Sequence, residues 1–175
     1  MNPTSLTPQE GPDFHASLLE GRFSGPGEFS ALVRHALATA AAQGWRELLL
    51  CDTDFNDWPL GERAVAQSLN DWAASGRKFT MLAANYDVVS RRHARFVTWR
   101  KRWSHLVECR VCGAMHKGDL PSILWSPVWA LRRLDVARSA GSAGGDAARR
   151  TLTREQLGEY LLKSTPGFAA TTLGL

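Results

Sequence analysis

Apolar residues recur every three or four positions over several stretches of the chain, which is the spacing of a helix that buries one face. The predicted helices cover residues 28–43, 61–74, 87–103 and about 153–163. Gly44 and Ser75-Gly76 end the first two helices, and Asp87 begins the third as an N-cap. Four amphipathic helices therefore need a common core to pack against.

Short, continuous apolar runs lie between these helices, as in strands that are buried on both faces. They cover residues 47–51, 79–84 and 106–111. Helices that alternate with buried strands require crossover connections, so we expect an α/β fold with a mostly parallel sheet flanked by helices. The alternation stops after Val111, where the apolar stretch 123–134, interrupted by Ser126-Pro127, predicts one bent strand or two short ones.

The 175 residues are enough for one domain with a core of ordinary size. A polar stretch without periodicity predicts a disordered N-terminal tail, and a run of Gly, Ser and Ala predicts a flexible linker before the last helix. We expect that helix and the apolar tail after it to pack on the same domain. The predicted divisions are a tail at 1–13, an α/β domain at 14–138, a linker at 139–150 and the C-terminal helix and tail at 151–175.

The composition is that of a globular protein, with 44% hydrophobic and 22% charged residues. No apolar run reaches the roughly 18 residues that a membrane span needs, and the first residues lack the pattern of an export signal. The three cysteines are too few for a disulfide framework and suit a reducing compartment. We therefore expect a soluble bacterial protein of the cytoplasm with no membrane partner.

Positive charge is concentrated in one segment. Residues 91–110 contain seven arginines and lysines against one acidic residue, a net charge of +6, whereas the whole chain has +4 and the remainder therefore −2. The candidate polyanion-binding residues are Arg91, Arg92, Arg95, Arg100, Lys101 and Arg102. A local basic surface is the feature through which a protein binds nucleic acid or another polyanion.

On a helix, Phe96, Trp99 and Trp103 fall in one sector, and Arg91, Arg95 and Arg102 share the adjacent one. Two interpretations follow from this arrangement. In the first, the aromatic side chains belong to the core, and the arginines form a solvated face or pair with the chain's own acidic loops. In the second, the arginines bind phosphates and the aromatic rings stack on bases. We expect the tryptophans to be buried, so that a polyanion site would depend on the arginines alone.

Two further patterns suggest a metal. Asp52 and Asp54 follow a predicted buried strand, where carboxylates either hold Mg²⁺ or cap a turn. Cys109, Cys112 and His116 have the spacing C-x2-C-x3-H, which could present three ligands to zinc, with a fourth from Asp119 or Cys51. The alternative for the cysteines is that they are small buried apolar residues at the end of a strand.

The order of predicted elements over residues 20–135 resembles half of a phospholipase D-like domain. In that family a histidine, a lysine two positions later and an aspartate further on act on a phosphodiester, and single-motif members dimerise to bring two histidines together. The corresponding segment here contains His116, Lys117 and Asp119. Adjacent residues of an extended backbone point to opposite faces, so this spacing implies a degenerate motif.

These patterns lead to three hypotheses. The first is a non-catalytic binding or regulatory protein on a phospholipase D-like scaffold, with a polyanion such as nucleic acid bound to the basic helix. The second is a metal-independent phosphodiesterase that uses His116, Lys117 and Asp119 in a homodimer. The third is an interaction module stabilised by zinc at Cys109, Cys112 and His116; the other two hypotheses need no cofactor.

Overall fold

A computed structural model describes residues 17–113 and 120–170 of the chain. Its helices are α1 (Pro26–Gln43), α2 (Arg63–Ala73), α3 (Asp87–Arg92), α4 (Ala94–Arg102) and α5 (Ala147–Leu162). Its strands are β1 (Gly21–Phe23), β2 (Glu47–Cys51), β3 (Lys78–Ala83), β4 (Val107–Val111), β5 (Ser122–Trp125), β6 (Ala130–Asp135), β7 (Ala140–Gly144) and β8 (Thr165–Pro166). In these two ranges, no helix combines the length and the apolar character that a membrane span requires.

The eight strands form one sheet in the order β1-β7-β6-β5-β2-β3-β4-β8. Among the described strands, the pairs β2–β3 and β3–β4 are parallel and the other five are antiparallel. The α/β class is confirmed, but the prediction of a mostly parallel sheet is wrong. Helices separate the first strands, whereas short turns at residues 126–129 and 136–139 join β5, β6 and β7, and strands joined by such turns pair antiparallel.

Alternate residues of the central strands face two separate cores. Leu48 and Leu50 of β2 lie in the larger core with residues of α1, α2, α3 and α4. Leu49 and Cys51 lie in the smaller core, which includes Leu157 of α5. Because successive side chains of a strand point to opposite faces, four helices cover one face of the sheet and α5 packs on the other.

The single helix predicted over residues 87–103 is in fact two helices, α3 and α4, which meet at His93. The His93 backbone leaves the helical region, with φ −114° and ψ 52°. Its buried imidazole lies with Nε2 2.8 Å from the carbonyl oxygen of Phe55, in the loop after β2. The break between α3 and α4 thus coincides with a contact between distant parts of the chain. The local sequence pattern does not reveal such a contact.

The segment predicted as a flexible linker, residues 139–150, contains an inner strand and the start of a helix. β7 pairs with both β1 and β6, and a side chain at Gly141 would overlap the Arg132 carbonyl oxygen. The small residues of this segment thus allow close strand packing. Asp146 caps α5 by accepting a hydrogen bond from the Arg149 N–H at 2.8 Å, so the helix begins earlier than predicted. The predicted tail at 1–13 lies outside the described residues.

Candidate functional site

The exposed residues of α4 form one stripe along the helix: Ala94, Arg95, Thr98, Lys101 and Arg102. The opposite side of α4 carries Phe96 and Trp99, which are 0% and 2% exposed and pack against Phe79 of β3. The prediction that Trp99 belongs to the core is confirmed, while Trp103 is only half-buried. The helix therefore presents cations to solvent and aromatic rings to the core.

Five of the six predicted basic residues are exposed, and we call them the cationic face: Arg91, Arg92, Arg95, Lys101 and Arg102. Three of their guanidinium groups donate to neutral acceptors. Arg91 Nε donates to the Asp87 carbonyl oxygen, Arg92 Nη1 to Asn56 Oδ1 and Arg95 Nη1 to the Gly61 carbonyl oxygen.

Within residues 17–113 and 120–170, no member of the cationic face forms an ion pair; the pairs that occur involve other arginines and a lysine. Arg92 does contact the acidic loop after β2, but through Asn56, whose Nδ2 donates to Asp57 Oδ1, and not through a carboxylate. The positive charge of the cationic face is available to an external anion.

Arg100 does not belong to this face. It is 7% exposed and its Nη2 donates to the Phe168 carbonyl oxygen at 3.4 Å. Its Nε and Nη1 atoms are buried, and neither has a hydrogen-bond partner in the part of the chain that the structure describes. A guanidinium covered in this way cannot reach a macromolecular ligand, so the predicted polyanion-binding set loses this residue.

Asp52, considered above as a metal ligand, is occupied by protein donors. Its Oδ1 accepts from the backbone N–H groups of Asp54 and Phe55 at 3.2 and 2.9 Å. Its Oδ2 accepts from Trp58 Nε1 at 3.0 Å and from Arg133 Nη2 at 2.9 Å. Because four donors satisfy this buried carboxylate, Asp52 caps the turn after β2 and holds it to the sheet. This is the alternative in which the carboxylate caps a turn and does not hold Mg²⁺.

Arg133 of β6 completes this buried cluster. Its side chain is 1% exposed, and its Nε donates to Ser122 Oγ at 2.8 Å. The guanidinium carbon lies 4.2 Å from the centre of the Phe29 ring, and Nη1 lies 3.4 Å from Asp57 Oδ2. The arginine therefore links β6 to α1 and to the loop after β2, and its bonds are internal.

The two cysteines of the predicted zinc site lie in different cores. Cys109 belongs to the larger core and Cys112 to the smaller one, on the opposite face of the sheet. Their side chains thus diverge, and the described residues contain no group of three metal-binding side chains. All three cysteines of the chain are buried and free, as in the alternative in which they are small apolar residues. The third proposed ligand, His116, lies outside the described ranges.

Burial raises the pKa of the Cys51 thiol well above its usual value, and the neighbouring Asp52 carboxylate raises it further. Burial also raises the pKa values of Cys109 and Tyr86. These groups therefore bind their protons more tightly in the folded chain than in the unfolded one. The stability that this difference contributes is complete below about pH 9 and is lost as the pH rises above the unfolded value.

We therefore expect the free energy of unfolding to fall as the pH rises above about 9, where the two cysteines begin to ionise in the unfolded chain, and more steeply above about 10, where Tyr86 does so as well. Urea unfolding between about pH 7 and pH 10.5 measures this fall. The Cys51→Ala variant is the control, because it removes one titrating group and should show a shallower decrease. An equal decrease in both proteins would show that Cys51 does not contribute.

The residues of the proposed phosphodiesterase motif, His116, Lys117 and Asp119, lie in the segment 114–119, outside the described residues. The strand before this segment, β4, lies beside β3 near one edge of the sheet, with only the two-residue β8 beyond it. Their catalytic role stays a prediction from the sequence.

No protein-family model matches the chain. No curated protein matches it either. The fold is similar to a solved structure described as that of TrmBL2, an archaeal chromatin protein that shows a novel mode of DNA binding. The TM-score is 0.64 and the sequence identity 15%, over 89% of this chain and 57% of TrmBL2. The likeness is one of fold alone. This chain spans little more than half the length of that neighbour.

Proposed function

We propose that this protein is a non-catalytic binding protein that engages nucleic acid through the cationic face of α3 and α4. The observation that carries the proposal is that four arginines and a lysine on these two helices are exposed and have no ion-pair partner among the described residues. Guanidinium groups form charge-assisted hydrogen bonds with phosphate oxygens, and several such contacts release the counterions of a polyanion.

The binding that this surface supports is indifferent to base sequence. Trp99 is buried, and Trp103 is half-buried with its Nε1 donating to Asn70 Oδ1 at 3.1 Å. The buried Trp99 ring cannot act as a stacking platform for bases, and the Arg102 guanidinium carbon already lies 5.6 Å over the Trp103 ring. Contacts with phosphates therefore carry the binding. The description of the neighbour TrmBL2 as a DNA-binding chromatin protein is consistent with this proposal. The phospholipase D-like scaffold, the cytoplasmic location and the homodimer stay predictions.

The test replaces Arg91, Arg95 and Arg102 by glutamine. The wild type should bind labelled single-stranded DNA at low salt, with log K falling by about 0.7 per phosphate contacted as log salt rises. The triple variant should lose most of this affinity, and its salt slope should fall by about 2. Its stability should change by only tenths of a kcal/mol per residue, because the replaced charges are exposed.

The matched control replaces Arg22, Arg138 and Arg149, which are exposed on other elements, by glutamine. It changes the net charge by the same amount and should retain nearly all of the affinity. Failure of the wild type to bind heparin or single-stranded DNA at low salt would exclude the proposed function. Equal losses in the two triple variants would exclude the cationic face as its site.

A further inference from the structure

A groove of about 480 Å³ lies between α2 and α4, beside the cationic face. It is lined by Ala66, Asn70, Ala94, Arg95, Thr98, Trp99 and Arg102. The small side chains of Ala66 and Ala94 leave room between the two helices. Arg95 and Arg102 are separated by two helical turns of α4, a rise of about 10.5 Å.

The side chains that line this groove are donors or apolar, and none is acidic. Asn70 Oδ1 accepts from Trp103 Nε1, which orients the amide and leaves the Nδ2 hydrogens for another partner. The Thr98 hydroxyl donates to the Ala94 carbonyl oxygen, and Arg95 uses one of its five N–H groups on Gly61. What remains is a set of positive or neutral donors, which favours an anionic occupant with several acceptor oxygens.

A second groove, of about 870 Å³ beside β1, is not lined by donors and apolar groups alone. Two arginines line it, Arg22 and Arg149, but so do two carboxylates, Glu28 and Asp135. The charges in that groove balance, so it has no preference for an anion. The groove between α2 and α4 is therefore the more selective of the two for phosphate.

We propose that the groove between α2 and α4 holds the sugar–phosphate backbone of one nucleic-acid strand, with Asn70 as a neutral donor between two arginine contacts. This inference rests on the proposed function and specifies its site. Arg95 Nη1 donates to the Gly61 carbonyl oxygen, and the guanidinium carbon of Arg102 lies 5.6 Å from the centre of the Trp103 ring, two helical turns further along α4. Two arginines held at different neighbours along the groove favour contacts with different phosphates of one strand, and therefore a polymer over an isolated phosphate ion.

The first test compares Asn70→Asp with Gln67→Glu. Both variants add one negative charge to α2, and Gln67 is exposed outside the groove. Aspartate keeps the oxygen that accepts from Trp103 and replaces the free donor with an anionic oxygen. The probe is a labelled oligothymidylate of about 12 nucleotides, which is long enough to span the groove. We expect Asn70→Asp to weaken binding by about tenfold or more and Gln67→Glu by less than about threefold.

The second test changes the shape of the groove without changing its charge. Ala66→Leu places a larger side chain in the groove, and Ala64→Leu places the same side chain on the exposed surface of α2. Only the first variant should weaken binding of the oligothymidylate. Melting curves of all four variants verify that they are folded, so that a loss of affinity reports on the groove.

The outcomes separate the two proposals. If both groove variants match their controls while the triple arginine variant still loses affinity, the groove is excluded and the cationic face remains. If the wild type does not bind the oligothymidylate at low salt, the proposed function fails and the groove with it. A duplex of the same length serves as the second probe, and a preference for it of more than about tenfold would overturn the single-strand site.

Discussion

Replacing Arg133 by methionine should lower the free energy of unfolding by about 3–5 kcal/mol. The arginine side chain is 1% exposed and that of Asp52 is 6% exposed, with 2.9 Å between Nη2 and Oδ2. Methionine fills much of the same volume, but it leaves the Asp52 carboxylate in a buried site without its counter-charge. A buried charge that has lost its partner is unfavourable because the surrounding protein solvates it poorly.

Urea unfolding of the wild type and the variant measures this difference. The control is Arg138→Met, which removes an arginine that is 84% exposed and whose Nε lies 3.9 Å from Asp135 Oδ2. An exposed pair of this kind contributes at most about 1 kcal/mol, so the control should remain close to the wild type. Similar losses in the two variants would mean that burial of the Asp52–Arg133 pair does not determine the effect.

Truncation of Trp99 to alanine should destabilise the fold by a similar amount, about 3–5 kcal/mol. The indole is 2% exposed, with ring centres 5.0 Å from Phe79 and 5.5 Å from Phe96. Alanine removes these contacts and leaves a cavity that the neighbouring helix and strand can fill only in part. The aromatic side of α4 thus anchors this helix on the sheet, with its exposed basic residues on the opposite side.

Trp99→Phe provides the control for this truncation. The indole Nε1 is buried and has no hydrogen-bond partner among the described residues. Phenylalanine keeps most of the ring contacts and removes the unsatisfied N–H group, so its destabilisation should be much smaller than that of alanine. Thermal or urea unfolding of the two variants measures the difference. If phenylalanine were as destabilising as alanine, the ring contacts would not be the source of the stability.

The sequence by itself determined the local elements of this protein. The helix predicted at 28–43 corresponds to α1, Pro26–Gln43, and the strand predicted at 47–51 to β2, Glu47–Cys51. The helix at 61–74 and the strand at 79–84 correspond closely to α2 and β3. Hydrophobic periodicity and glycine stops act over a few residues, so a linear pattern is enough to locate these elements.

Only the tertiary structure decided how the strands are paired. The first half of the chain predicts parallel strands, but β5, β6 and β7 join the same sheet in antiparallel pairs. The composition of residues 139–150 indicates a linker, yet β7 lies between two other strands. Strand direction and the close packing at Gly141 depend on neighbours distant in sequence, which a local pattern does not contain.

The candidate site was likewise predictable from the sequence only in part. The concentration of arginines in residues 91–102 is visible in the sequence, and so is the aromatic sector beside it. The sequence pattern does not separate Arg100 from Arg102, because Arg100 is buried in the folded chain and donates to the carbonyl oxygen of Phe168, which is distant in sequence. Asn70 carries no signal of its own, since it joins the groove only when α2 packs beside α4. Charge and periodicity belong to the sequence, whereas exposure and the meeting of two helices follow from the folded chain.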